Sequence, residues 1–105
     1  MAESTFKISF EQEVLVVSMI RAARNALGWT QPMLAKRSGV SLVALARLES
    51  NVTSPRMSTV LKIKAAIQEA GIQVIEGQPA GGFTLQISEK AIQVAVQSAG
   101  RTDVG

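Results

Sequence analysis

The chain contains no cysteine and no histidine among its 105 residues. The lack of cysteine excludes disulfides, thiolate metal sites and thiol nucleophiles. The lack of histidine excludes imidazole acid–base catalysis, Ser-His-Asp triads and histidine-ligated zinc. The acidic residues show no paired spacing, and Gly81-Gly82 is not followed by the Lys-Ser/Thr of a phosphate-binding loop. We therefore expect no catalytic residue, no metal and no cofactor, and we expect the protein not to be an enzyme.

Long apolar runs are missing as well. Runs such as Val14 to Val17 are far shorter than the roughly 20 residues that a membrane-spanning helix needs. The first residues, Met1-Ala2-Glu3-Ser4-Thr5, lack the basic start and apolar stretch of a signal peptide. Apolar residues make up 47% and charged residues 18% of the chain, a globular composition that fits one domain. We expect a soluble, cytoplasmic protein that does not interact with membranes.

The charge is distributed unevenly along the chain. The formal net charge is +3, but the segment from Ile20 to Lys64 holds eight basic residues and one acidic residue, Glu49, a net +7. The remainder holds three basic and seven acidic residues, a net −4. A positive patch on a small domain is typical of a protein that binds a polyanion. A surface that is unevenly charged but merely solvated is the alternative.

Residues 1–19 are predicted to form a short strand and the beginning of a helix. The alternation of apolar and polar residues from Phe6 to Phe10 predicts the strand. Ser9 followed by Gln12 has the spacing of a capping box, and we expect this first helix to run to Leu27 and end before Gly28.

Three further helices follow. Thr30 and Ser41 are suited to cap the second and the third helix, and Gly39 is suited to end the second. The third helix should end near Ser50. After a polar loop, the apolar periodicity predicts a fourth helix over residues 57–70.

Residues 71–100 are predicted to form a β-hairpin and a last helix. The alternating segments 72–76 and 83–87 flank a Gly/Pro-rich link, as in a hairpin. Ser88 is suited to cap the helix that follows, and residues 101–105 are expected to be disordered. The last helix carries an apolar stripe made of Ile92, Ala95, Val96 and Ala99.

The segment from Thr30 to Ser50 has the residue pattern of two short helices joined by a tight turn. Ala35 is small where the two helices would cross, and Gly39 allows a positive φ at the turn. Such a pair crosses near the perpendicular and exposes its second helix to fit a major groove. Apolar residues that would point inward occur at Leu34, Val40, Leu45 and Leu48.

This segment resembles the helix-turn-helix of the phage repressor/Cro family, also called XRE-like. The resemblance extends to Leu27-Gly28-Trp29-Thr30-Gln31 before the motif and to Glu49-Ser50-Asn51 and Ser54-Pro55 after it, and it covers Ile20 to Ala70. It implies a mainly α fold, a four-to-five-helix repressor-like domain with a C-terminal β-hairpin and terminal helix. Residues 20–70 would be its DNA-binding core.

The resemblance also implies roles for individual residues. The second helix, at its start, and the third helix would contact bases through Gln31, Ser41, Leu42, Val43, Ala46 and Arg47. Phosphate contacts, which position a protein without carrying sequence information, would come from Thr30, Lys36, Arg37, Asn51, Arg56 and Lys62. Arg47 could donate two hydrogen bonds to a guanine, and a phosphate contact is its alternative role.

Structural roles are implied as well. Arg24 and Glu49 match a family ion pair that ties the first helix to the end of the third. Trp29 is expected in the core. Ser38 departs from the family pattern, because an apolar residue is usual near the turn; if Ser38 is buried, its hydroxyl can donate to a helix carbonyl at little cost.

Leu42 and Val43 form the second departure, since many relatives have polar residues there. These two side chains could pack on thymine methyl groups in the major groove. They could also leave specificity to DNA shape, or they could face a protein partner. The sequence leaves these three alternatives open.

The C-terminal elements supply material for a dimer. An unpaired hairpin edge and an apolar helix stripe both favour burial against another surface. We expect residues 71–100 to form a homodimer interface, so that two copies bind a palindromic operator in double-stranded DNA. The interface residues would be Phe83, Leu85, Ile87, Ile92 and Val96. The alternative is that these elements pack on the helical core of their own chain.

The leading hypothesis is a sequence-specific DNA-binding transcription regulator, a repressor, that inserts the helix at residues 41–50 into the major groove as a dimer. The alternative hypothesis is an antitoxin or adaptor whose C-terminal hairpin and helix bind a protein partner.

Overall fold

A computed structural model describes residues 10–51 and 54–100 of the chain. These residues form five helices and one two-stranded antiparallel sheet. Within them, no helix is both long enough and apolar enough to cross a membrane. The elements are α1 Phe10–Ala26, α2 Gln31–Ser38, α3 Leu42–Glu49, α4 Met57–Glu69, β1 Ile72–Glu76, β2 Phe83–Ile87 and α5 Glu89–Ser98. The predicted mainly α fold with a C-terminal hairpin and helix is therefore confirmed.

The ends of α2 and α3 lie where the capping residues place them. The hydroxyl of Thr30 accepts from the backbone N–H of Met33 at 3.3 Å, and that of Ser41 accepts from the N–H of Ala44 at 3.0 Å. Each hydroxyl satisfies a backbone donor that has no partner within its helix. Gly39 ends α2 with φ +76°, a left-handed conformation that glycine adopts without a steric penalty.

The predicted N-terminal strand is wrong at Phe10. This residue begins α1, and the acidic side chains of Glu11 and Glu13 lie in the first helical turn. Negative charge there is favoured by the helix dipole, which explains why the helical pattern extends to Phe10. The rest of the predicted strand, the capping residue Ser9 and the tail 101–105 lie outside the described residues.

The core lies among the four N-terminal helices, and β1 and α5 close it on one side. Each of these six elements contributes a fully buried apolar side chain or methyl group. Two of the inward-pointing residues predicted for the motif, Leu34 and Leu45, are fully buried, and Ala35 is buried where α2 meets its neighbours. The central residues are Ile20, Leu27, Leu34, Leu45, Ile63, Ile67, Ile72 and Ala91.

The hairpin pairs β1 with β2 in the register Val74 opposite Leu85 and Glu76 opposite Phe83. Residues directly opposite each other in an antiparallel pair share a face of the sheet. On this face Val74, Phe83 and Leu85 are half-buried and pack against the core. Phe83 and Leu85, which were predicted for a dimer interface, thus contact the core of their own chain, whereas Ile87 at the end of β2 is exposed.

The helix α5 has one face against the core and a second apolar face in solvent. Ala91 is fully buried and Val94 is half-buried against the core. Ile92 and Val96 are 53% and 52% exposed. Part of the C-terminal region therefore packs on its own chain, while Ile92 and Val96 of the predicted apolar stripe stay exposed and Ala95 is half-buried.

Gly71 allows α5 to approach the end of α4 closely. Its carbonyl accepts from the backbone N–H of Ser88 at 3.1 Å, which fixes the start of α5. A Cβ built on Gly71 would lie 2.5 Å from Ser88 Oγ and 2.8 Å from the backbone nitrogen of Ala91, and the residue has φ +107°. Only glycine fits both this conformation and this contact.

Replacing Gly71 with alanine should lower the free energy of unfolding by about 2–4 kcal/mol, because backbone strain and overpacking act together. Gly77→Ala is the matched control. Gly77 also has a positive φ, +83°, but nothing lies within 4 Å of its added Cβ, so the expected loss is about 1 kcal/mol. Urea denaturation measures both losses. Equal losses would contradict the close contact between α5 and the end of α4.

Candidate nucleic-acid interface

Helix α3 presents one face to the core and the other to solvent. Leu45 and Leu48 are buried and hold the helix against its neighbours. Leu42 is 45% exposed, Val43 is 67% exposed, and Arg47 on the next turn is exposed too. The helix therefore projects the side chains predicted to contact bases, and none of these three lies in the interior.

The C-terminal end of α3 is fixed by the ion pair predicted between Arg24 and Glu49. The Nε and Nη2 atoms of Arg24 each donate to a different carboxylate oxygen of Glu49 at 2.9 Å. Its Nη1 atom donates to the carbonyl oxygen of Trp29, also at 2.9 Å. Glu49 is only 5% exposed. This two-pronged geometry joins α1, α3 and the turn before α2, as the resemblance implied.

Gln31 joins α2 to the same carboxylate. Its Nε2 atom donates to Oε1 of Glu49 at 3.1 Å, and the side chain is half-buried. An amide NH2 carries two donors, so this bond leaves the second N–H as well as the acceptor Oε1 of Gln31 for a group outside the protein. The contact holds the first residue of α2 beside the last residue of α3.

Grooves flank α3 on both sides, and each has an exposed arginine. One groove, of about 420 Å³, is lined by Val43 and Arg47 of α3 and by Arg56 at the start of α4. The other, of about 360 Å³, is lined by Arg21 of α1 and by Ala46 on α3. Positive charge on both sides of a projecting helix suits the two phosphate strands that border a major groove.

Arg21 was not assigned a role from the sequence. It lies three residues before Arg24, one helical turn away, so both project from the same side of α1. Arg24 points to Glu49, and Arg21 lines the groove beside Gln31 and Ala46. Arg24 was already assigned to the ion pair, so the three-residue spacing between Arg21 and Arg24 could have identified Arg21 as a residue of this site.

The structure places the six residues predicted to contact phosphate at different sites. Thr30 caps α2, Asn51 follows α3 in a left-handed conformation, and Arg56 borders the groove beside Arg47. Arg37 instead lies over the indole ring of Trp29, 5.0 Å from its centroid, in a cavity that also involves α4 and α5. Asn51 and Arg56 therefore lie beside α3, Thr30 lies next to Gln31 at the start of α2, and Arg37 lies away from α3. Lys36 and Lys62 are exposed on α2 and α4.

The charge around α3 is positive because Glu49, the acidic residue of α3, is already paired. Arg21, Arg47 and Arg56 are exposed, whereas Glu49 is buried against Arg24. Across residues 10–51 and 54–100, no group of three or more Asp, Glu, His or Cys side chains could hold a metal ion. What the surface offers a ligand is hydrogen-bond donors, positive charge and a few apolar side chains.

A helix-turn-helix family model matches residues 20–72, about half of the chain. The chain belongs to the XRE-like helix-turn-helix family. Members of this family are DNA-binding transcription regulators and are not typically enzymes, so the XRE-like protein described here is a regulator that binds double-stranded DNA. Searches of the curated proteins and of the solved structures each found no significant match.

Ser38 of this XRE-like chain departs from the family pattern, and its hydroxyl bonds a helix carbonyl as expected. The Ser38 hydroxyl donates to the carbonyl oxygen of Leu34 at 2.7 Å and also lies 3.3 Å from that of Ala35. A half-buried hydroxyl is thereby satisfied within its own helix, so the turn forms without the usual apolar residue.

Removing the carboxylate of Glu49 should destabilise the protein strongly. We expect Glu49→Ala to lower the free energy of unfolding by about 3–5 kcal/mol, because it leaves the guanidinium of Arg24 largely buried without its partner. Lys64→Ala is the control, since the Lys64–Glu76 pair, at 2.7 Å, is largely exposed and should contribute at most about 1 kcal/mol. Chemical denaturation followed by circular dichroism compares the two, and a loss for Glu49→Ala as small as the control's would refute the structural role.

Proposed function

We propose that this XRE-like regulator is a sequence-specific repressor that inserts α3 into the major groove of its operator. The observation that carries the proposal is the position of α3. Its inner face is buried and fixed through Glu49, its outer face is exposed, and arginines lie on both flanks. An α-helix fits the major groove, and flanking cations contact the phosphates on either side.

In this proposal the residues of the surface around α3 have separate roles. Arg47 donates to a guanine, with Ser41, Ala46 and the amide oxygen of Gln31 close to the neighbouring bases. Arg21 and Arg56 contact phosphates on the two sides of the groove. Thr30 and Asn51 are further phosphate contacts of the same surface. Lys36, Arg37 and Lys62 stay predictions as phosphate contacts.

One copy of the protein contacts too few base pairs for tight and selective binding. The eight residues of α3 span only about 12 Å. We therefore propose a homodimer on a palindromic operator, with its half-sites one helical turn or more apart. The surface that supports it combines Ile87 with Ile92 and Val96 of α5, which are exposed in the single chain. A dimer bound over a promoter region represses by occupying the DNA.

The antitoxin or adaptor hypothesis uses the same apolar surface for a different protein. It predicts a chain that stays monomeric by itself and whose interaction does not depend strongly on salt. The regulator proposed here dimerises and binds DNA with a steep salt dependence, because bound cations are released from each phosphate that the protein contacts.

Arg47→Ala should flatten the preference for the selected sequence, whereas Arg56→Ala should weaken binding to all sequences alike. The loss for Arg47→Ala on the selected sequence should be about 1–3 kcal/mol. Operator duplexes selected from random DNA, and titrated at several salt concentrations, measure both effects. Lys90→Ala, which removes one positive charge from α5, is the control and should change affinity least. Equal losses on every sequence for Arg47→Ala and Arg56→Ala would refute base contact by Arg47.

Val96→Glu should convert the dimer to a folded monomer, since the charge would be buried in the interface. Gln97→Glu introduces the same charge on an exposed residue of the same helix, about 100° around the helix from Val96 and farther from the rest of the apolar stripe, and should leave the dimer intact. Analytical ultracentrifugation at tens of micromolar, with circular dichroism to confirm folding, tests this. A monomeric parent protein at that concentration would end the dimer proposal and favour a protein partner.

A further inference from the structure

Leu42 and Val43 are apolar and exposed, and neither contributes to the packing of the fold. Across the described residues they belong neither to the core nor to the half-buried apolar residues packed against it. Leu45 and Leu48 already provide the apolar contacts that hold α3 in place. Exposed apolar side chains that lie together on a functional surface indicate a contact with something outside the chain.

The surroundings of this pair favour DNA as the partner. Val43 and Arg47 line the same groove as Arg56, so a cationic border lies next to the apolar side chains. A ligand for this surface must be a polyanion that also presents an apolar group. In the major groove the apolar group is the methyl at C5 of thymine, and the other base edges carry donors and acceptors.

The rest of the outer face of α3 is small. Ser41, Ala44 and Ala46 have short side chains, so they allow the backbone of α3 to approach the bases closely. A close approach is required because leucine and valine reach less far than the glutamine or arginine of many relatives. On the outer face of α3, Arg47 is the long polar side chain, since Glu49 is buried, so few donor and acceptor patterns can be distinguished there.

The spacing of Val43 and Arg47 indicates which base lies next to the pyrimidine whose methyl Val43 contacts. Residues four apart lie on the same side of a helix, with Cβ atoms about 5–6 Å apart. Successive bases along one DNA strand are about 3.4 Å apart, so the two side chains reach neighbouring base pairs. Arg47 pairs best with O6 and N7 of guanine. The favoured site is therefore a methylated pyrimidine beside a guanine.

We propose that Leu42 and Val43 make this regulator selective for DNA that carries a C5-methyl pyrimidine next to the guanine bound by Arg47. This inference rests on the proposed insertion of α3 into the major groove. Thymine and 5-methylcytosine present the same methyl at the same place in the groove. Both therefore satisfy the apolar contact, and the experiment distinguishes them.

The test uses the operator duplex selected from random DNA, in which one C5-methyl group at a time is removed or added. Deoxyuridine replaces each thymine in turn, which removes only the methyl, and 5-methylcytosine replaces each cytosine beside a guanine, which adds it. We expect one position in each half-site at which the methyl improves affinity by about three- to tenfold, the effect of burying one methyl group. A thymine at that position gives a loss with deoxyuridine, and a cytosine gives a gain with 5-methylcytosine.

Val43→Ala should abolish most of this methyl effect while keeping the guanine preference that depends on Arg47. Leu61→Ala is the control, because Leu61 is equally apolar and exposed but lies on α4, and it should leave the methyl effect unchanged. Circular dichroism confirms that both variants fold.

The possible failures are distinguishable. Sequence-selective binding that is insensitive to the methyl at every position would overturn this inference and leave the proposed function intact, with DNA shape as the source of selectivity. A methyl effect that persists in Val43→Ala and in Leu42→Ala would overturn the assignment to these residues. If no sequence is bound selectively, the proposed function fails and this inference fails with it.

Discussion

The carboxylate of Glu49 joins three helices, and the orientation of α3 depends on it. Arg24 approaches from α1 with two hydrogen bonds, and Gln31 approaches from the start of α2 with a third. A buried carboxylate is costly unless its oxygens are satisfied, so the three helices are held in the one arrangement that satisfies it. The guanidinium also bonds the carbonyl of Trp29, which fixes the turn before α2. An apolar contact in the same place would bury area but would not select one orientation so sharply.

Because buried contacts hold α3 in place, the side chains of its outer face are not needed to stabilise the fold. Leu45, Leu48 and Glu49 supply the contacts inward, and Leu42, Val43 and Arg47 are exposed to solvent. This separation lets the outward residues depart from the family pattern without a cost to stability. The same carboxylate would repel DNA if it were exposed, but Arg24 covers it and leaves the surface positive.

The C-terminal region is attached to this core by backbone contacts at glycine. The close approach at Gly71 seats the beginning of α5, and Gly28 leaves room for Ser98 near its end, since an added Cβ there would lie 3.3 Å from Ser98 Cβ. One face of α5 is used in this attachment, and its second apolar face remains exposed. The hairpin behaves similarly, with Phe83 and Leu85 against the core and Ile87 in solvent. An exposed apolar surface therefore lies next to the helical core.

Local chemistry was enough to predict most elements of this protein. Caps at Thr30, Ser41 and Ser88, a positive φ at Gly39 and the alternation in the two strands act over a few residues, so the sequence determined the helices of the motif, the hairpin and the last helix. Tertiary structure decided what depends on residues far apart in the chain. It placed Arg37 on Trp29, brought Arg21 to the edge of α3, and divided the apolar residues of the last three elements between core and solvent. Those outcomes follow from how helices and strands pack against one another, and a periodic pattern shows which residues are apolar but not which neighbour will cover them.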